Sequence, residues 1–288
     1  RTFFQIKGRL KSNVYYCHPQ SILGITSRPN DCNAGWSVSM TTGELNEFLC
    51  LKAAQFEHPD FIENDPISIP HHYKEKEDIE IIALLVATIA WGNRKSIIQS
   101  GRKLISLLGE SPYDYVMNFK DTKQLEFVHR TFSGNDLKFF ILGLQNIYTA
   151  GGLELSFKRP LNSQIECAIL SFREAMLSAP HEKRVQKHLS NPLMNSACKR
   201  LNMFLRWMVR PATKGVDFGL WQSISPSDLH LPLDVHTGNI ARKLGILNRS
   251  QNDWKSSQIL HEYFRAICPE DPAKFDFALF GLGAIEKF

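Results

Sequence analysis

The chain has 288 residues, 43% hydrophobic and 22% charged, and its 34 Lys and Arg against 29 Asp and Glu give a formal charge of +5. This composition excludes collagen-like, coiled-coil and intrinsically disordered chains, and no uncharged apolar run of about eighteen residues is present to span a membrane. Six scattered cysteines (Cys17, Cys32, Cys50, Cys167, Cys198 and Cys268) form no Cys-x-x-Cys pair. That pattern argues against a zinc ribbon, an iron–sulfur cluster or a secreted disulfide framework, and for a reducing cytoplasm.

Residues 1–39 mix Gly, Pro, Ser and Asn with isolated aromatics and have no sustained helical or strand period. The first methionine is Met40. We read 1–39 as an extension outside the fold, either a start taken upstream of Met40 or a disordered tail, and residues 40–288 as one domain. The extension carries +4 of the charge, leaving the body at +1.

From Thr42 onward the period is helical. Asp78 to Trp91 is apolar almost all round and predicts a buried central helix, broken by Gly92-Asn93. Ile97, Leu104, Ile105 and Leu108 give a second helix, and Ser111-Pro112 opens a short third one. Ser133 to Asp136 is a capping cluster for a helix that ends at Gly151-Gly152. Further stripes run over Ile165–Met176, Ala197–Met208 and Asp234–Leu244, then around Ile259–Phe264 and Lys274–Leu282, with a loop over Ala212–Leu233. No alternating Val/Ile/Thr-rich strands are evident, so the expected class is all-α.

Eight basic residues fall between Lys183 and Lys214 with no Asp or Glu among them, which leaves −7 on the rest of residues 40–288. Such segregation suggests a polyanionic partner. At about 100° per residue, Lys199, Asn202, Arg206 and Arg210 form one polar row opposite Leu201, Phe204 and Met208, suited to following a phosphate backbone. Lys199, in the first helical turn amid other cations, is a candidate nucleophile.

The other informative stretch is Leu231-Pro-Leu-Asp-Val-His-Thr-Gly-Asn-Ile-Ala-Arg-Lys-Leu-Gly245. Asp234 is an N-cap, expected to accept from the amides of His236 and Thr237 at the positive end of a helix. A lone Asp cap says nothing about function. The whole string, however, resembles the helix–hairpin–helix DNA glycosylases, in which a Gly/Pro-rich loop leads into a catalytic aspartate at a helix start. Pro232, Asp234, Val235, His236 and Ile240-Ala241-Arg242 are most similar to 8-oxoguanine glycosylases. Cys198-Lys-Arg-Leu-Asn-Met-Phe-Leu205 resembles the family's helix that begins with a Schiff-base lysine, placing Lys199 there, and residues 78–92 resemble its early buried helix. Overall the chain also looks like an uncharacterised bacterial family known as a domain of unknown function. It departs from the glycosylases in three ways: Ser190-Asn-Pro-Leu-Met-Asn-Ser-Ala197 stands where a Leu-Pro-Gly-Val-Gly hairpin is expected, Lys199 and Asp234 are 35 residues apart, and no four-cysteine cluster follows.

The resemblance implies an all-α glycosylase architecture with a degenerate hairpin. It also implies a base-excision repair enzyme, with glycosylase and abasic-site lyase activities on a flipped, 8-oxoguanine-like base. Lys199 and Asp234 would be catalytic. Arg200, Asn202, Arg206, Arg210, Lys214 and Lys187 would bind DNA, and Trp91, Asn93, Arg94 and His236 would line or adjoin the pocket. No cofactor or metal is expected, the partner is double-stranded DNA, and the protein would act as a cytoplasmic, nucleoid-associated monomer. The alternatives are a non-catalytic nucleic-acid-binding protein on the same scaffold and a helical module whose basic face meets an acidic protein. His71-His72 reads as a loop pair without a metal partner, and Asp228, His230, Asp234 and His236 as a turn-rich loop. Phe280-Gly-Leu-Gly283 is too short for a nucleotide fingerprint.

Overall fold

The computed structural model describes residues 40–160 and 163–288, so the reading of 1–39 lies outside the described residues. The helices are α1 (Thr42–Phe56), α2 (Lys76–Ile89), α3 (Arg94–Leu108), α4 (Pro112–Met117), α5 (Gly134–Thr149), α6 (Leu153–Ser156), α7 (Ile165–Leu177), α8 (Lys199–Val209), α9 (Val235–Lys243), α10 (Trp254–Ile267) and α11 (Phe275–Phe280). The fold is all-α, and residues 46–288 form one compact unit. One feature was not expected: a minimal antiparallel hairpin of β1 (Val128–His129) and β2 (Phe132–Ser133), turned through Arg130 at φ 53°. Two residues per strand are too few to leave an alternating pattern in the sequence. No described helix is long and apolar enough to cross a membrane.

Two helices form the centre. Every residue of α2 from Asp78 to Ile89 is buried, as its apolar circumference requires. The α8 helix packs along it, and it too is buried from Leu201 through Val209. Two of the three acidic residues of α2, Asp78 and Glu80, are buried and satisfied inside the protein. Asp78 accepts from the amide of Tyr113 at 2.7 Å and so anchors α4, while Glu80 accepts from the Tyr148 hydroxyl at 2.8 Å and from Trp221 Nε1 at 2.6 Å. Phe157, Phe172, Phe204 and Trp221 complete this core, with Phe157 and Phe172 stacked at 4.4 Å.

The expected helix starts and stops are in place. Ser111 caps α4, Ser133 and Asp136 close a capping box on α5, and Asn93 caps α3. Gly151 and Gly152, at φ 123° and 105°, end α5. The final helix is shorter than its apolar stripe suggested: α11 stops at Phe280 and a π-helical turn runs over Gly281–Ile285. The two glycines of Phe280-Gly-Leu-Gly283 are there for packing. A methyl on Gly281 would lie 2.1 Å from a ring carbon of Phe56, and one on Gly283 would lie 3.0 Å from Ile240 of α9.

Candidate active site

Lys199 and Asp234 each stand at the start of a helix, and the fold sets those two starts against each other. The chain reaches Lys199 through a 3₁₀ turn over Pro192–Met194, with Asn195 and Cys198 both left-handed at φ 59° and 49°. Cys198 occupies the capping position without a side-chain hydrogen bond to the helix, and burial pushes its thiol up to about 12. The turn is braced on α10: Asn195 Nδ2 donates to Asp253 at 3.0 Å, and the amide of Trp254 donates to the Asn195 carbonyl at 3.3 Å. This turn exposes Leu193 and Met194.

Asp234 follows the buried Leu229–Leu233 segment and caps α9. Its carboxylate accepts from the amide of Thr237 at 2.9 Å, and its carbonyl accepts from Asn252 Nδ2 at 2.9 Å. The expected second bond, from His236, is not made. Lys199 Nζ lies 4.0 Å from Asp234 Oδ2, with both side chains part-exposed at 31% and 24%. An amine and a carboxylate are thereby presented together at two positive helix ends, one able to attack carbon and the other able to steady a cation.

Two carboxylates that sequence reasoning missed lie within electrostatic reach of this pair. Asp276, on α11, accepts from Arg206 Nη1 at 2.6 Å. Burial raises Asp276 to about 6, with Arg206 and Lys199 pulling it down and the negative charge of Asp234 pushing it up. Asp65 caps the Pro66–Ser68 turn through the amide of Ile67 at 3.1 Å and lies 3.9 Å from Arg94 Nη2. Burial raises the pKa of Asp65 too, against the charges of Arg206, Arg94 and Lys199. A signal for Asp276 was available: it is the sole charge within Phe275-Asp-Phe-Ala-Leu-Phe280.

The predicted DNA-binding row is corrected by the structure. Asn202, Arg206 and Arg210 are buried, the two arginines to 3% exposure. Arg206 bonds Asp217 and Asp276, while Arg210 bonds Asp217, Asp271 and Glu57. Burial of a guanidinium is tolerated only with such pairing, and these partners lie up to 153 residues away. Asn202 Nδ2 turns back to the carbonyl of Ala197 at 3.1 Å. Arg200 is also committed, donating to the carbonyls of Thr88 at 2.6 Å and Lys187 at 3.4 Å. Of the six predicted DNA contacts, only Lys187 and Lys214 are exposed.

The four pocket residues divide. Arg94 joins the cluster through Asp65 and lies over the Phe280 ring at 4.7 Å. Trp91 is half-buried beside the first turn of α8, stacked on His188 at 5.8 Å with the Arg200 guanidinium 5.0 Å from its ring. Asn93 spends its carbonyl oxygen on the amides of Lys95 and Ser96. His236 is exposed on the first turn of α9.

Residues 65–285 match a family model described as "Protein of unknown function (DUF2400)". The chain belongs to this family. The match starts at Asp65, ends in the last turn, and so takes in Lys199, Asp234, Arg206, Asp276 and Arg94. No curated protein matches the chain, and no solved structure does. Among the described residues no three His, Cys, Asp or Glu side chains converge in a metal-binding group. His71 bonds the carbonyl of Val216, Asp228 pairs with Arg159, and His230 stacks on Trp254 and His261.

Proposed function

We propose that this protein is a DNA-repair glycosylase with an associated abasic-site lyase activity, acting on a damaged, 8-oxoguanine-like base flipped from duplex DNA. The observation that carries the reading is the 4.0 Å approach of Lys199 Nζ to Asp234 Oδ2 at two helix starts. The resemblance assigns a nucleophile and a charge stabiliser to those same two positions.

In this reaction the neutral amine of Lys199 forms a bond to the sugar C1′. The C1′–base bond breaks, its electron pair leaves with the base, and the base takes up a proton. Asp234 stays ionised and opposes the positive charge that develops on the sugar. Loss of the amine proton and opening of the ring give a Schiff base, from which β-elimination expels the 3′ phosphate. Lys187 and Lys214, which are exposed, would meet the phosphate backbone.

Borohydride trapping tests the proposal. A duplex with an abasic site or 8-oxoguanine is expected to cross-link to the native protein and not to Lys199→Ala. Salt-sensitive duplex binding without any cross-link would replace the enzyme reading with the non-catalytic binder.

A further inference from the structure

We infer that the exposed face of α3, carrying Lys95, Arg102 and Lys103, and Arg130 on the hairpin turn together hold the phosphate backbone of the duplex beside the lesion. The inference rests on duplex DNA being the partner. It names the surface that grips the duplex, a role that Arg206 and Arg210 cannot fill while they are spent inside the protein.

Charge is the first observation. From Trp91 to Gly109 there are four cations, Arg94, Lys95, Arg102 and Lys103, and no Asp or Glu. Arg94 turns to Asp65 at 3.9 Å and to the Phe280 ring at 4.7 Å. The other three, and Arg130, are exposed and have no carboxylate within 4.0 Å among the described residues. On α8 the same residue types carry their own carboxylates with them. Lys95 also stands in the first turn of α3, which holds no acidic residue and where the helix dipole opposes a cation. No described carboxylate offsets that arrangement, and a phosphate would.

The second observation is shape. At about 100° per residue, Lys95, Gln99 and Arg102 form one row, with Ser96 and Lys103 beside it. Ile97, Gly101, Leu104 and Leu108 are buried on the opposite side. From Lys95 to Arg102 the helix axis advances about 10 Å, about three phosphate steps along one strand. Ser96 and Gln99 set neutral polar groups among the cations, the mixture that phosphate contacts use. No large exposed hydrophobic residue lies on α3, whereas the centre of a protein–protein interface is apolar. The face suits a nucleic-acid backbone better than an acidic protein.

The third is continuity with the Lys199–Asp234 pair. Trp91, three residues before α3, has the guanidinium of Arg200 5.0 Å from its ring, and Arg200 follows Lys199 in the first turn of α8. The hairpin is fixed to the same junction. His129 Nε2 donates to the Trp91 carbonyl at 3.3 Å, which leaves Nδ1 to accept from the Ser100 hydroxyl of α3 at 2.9 Å. Arg130 then lies across Gly92, where a methyl on that glycine would come within 2.5 Å of its Nη1. Arg130 and the start of α3 therefore meet at the Trp91-Gly92 turn, and that turn adjoins the helix start that presents the lysine.

The test measures binding of the full chain to a duplex containing a stable tetrahydrofuran abasic analogue, from about 50 to 300 mM salt. Wild type is compared with Lys95→Gln/Arg102→Gln/Lys103→Gln, with Arg130→Gln, and with Lys158→Gln as a control. Lys158 lies by the first turn of α2, whereas Trp91 follows its last. Folding is checked by circular dichroism and urea denaturation. The salt slope should fall by about three in the triple variant and about one in Arg130→Gln, and stay at the wild-type value in Lys158→Gln. A folded triple variant with the wild-type slope overturns the inference and leaves the glycosylase reading standing. If the triple variant does not fold, the three single variants are read: a loss of about one in each supports the inference, and unchanged slopes overturn it. Lowered slopes in a protein that never forms the borohydride cross-link support the surface and remove the enzyme reading. Wild-type protein that binds no duplex removes both. Polyglutamate binding that the triple variant abolishes, with duplex binding untouched, gives the face to an acidic protein and overturns the inference.

Discussion

Arg206 Nη1 donates to Asp276 Oδ2 at 2.6 Å, and through that bond the charged side of α8 is turned into the protein. Arg210, one turn on, repeats the arrangement with Glu57, Asp217 and Asp271. The basic island of the sequence thus has two parts. Its arginines on α8 hold the interior together, and its lysines at 183, 187 and 214 remain at the surface.

Arg210→Ala leaves three carboxylates facing one another without their cation. Breaking a buried pair in this way costs about 3–5 kcal/mol, so urea denaturation should place this variant well below wild type. A loss under about 1 kcal/mol would mean that the network is not holding α8.

Lys187→Ala and Lys214→Ala should be silent in the same experiment, within about 0.5 kcal/mol. Each should instead lower the salt slope of duplex binding by about one. Equal slopes for wild type and both variants would take these lysines out of the DNA interface.

Asp234 has a structural and a chemical role that two substitutions separate. Asp234→Ala removes the α9 cap and should cost about 0.5–2 kcal/mol, while Asp234→Asn keeps an acceptor for the Thr237 amide and should retain most of that stability. Both lose the charge and should lose base excision. Full excision by Asp234→Asn would reduce Asp234 to a cap.

Acid should unfold the protein partly through His230. It is buried between Trp254 and His261, with Nδ1 3.1 Å from Ser257 Oγ, and burial together with His261 holds it down to about 3. The unfolded chain binds a proton below about 6.5 where the folded chain does not. Stability therefore declines as pH falls from there toward 3, by up to about 1.4 kcal/mol per pH unit. His188 and His261 are lowered too and act in the same direction. Asp276, raised to about 6, acts oppositely between its unfolded and folded values. His230→Gln should flatten the acid side of the stability curve, measured by urea denaturation at stepped pH, and an unchanged slope would count against this account.

Gly281→Ala should cost about 1–3 kcal/mol, since its methyl would meet the Phe56 ring at 2.1 Å. A neutral melting temperature would show that α1 gives way easily at that contact.

Much of the fold was legible because local rules governed it. The all-round apolar face of α2 required burial, the caps at Ser111, Ser133 and Asp234 and the Gly151-Gly152 stop act within a few residues, and an all-α class follows from a helical period kept throughout. The pairing of Lys199 with Asp234 was legible only through a resemblance, because nothing local joins two helix starts 35 residues apart. The composition held one further fact, a +8 island against a −7 remainder. Taken alone, the sequence determined that those opposite charges exist and are segregated along the chain. Only the tertiary structure decided that Glu57, Asp217, Asp271 and Asp276 fold onto Arg206 and Arg210. Helical spacing gives the direction of a side chain about its own axis, whereas its burial depends on which distant segments pack there. A guanidinium enters the interior when carboxylates arrive with it, and here they arrive from both ends of the body.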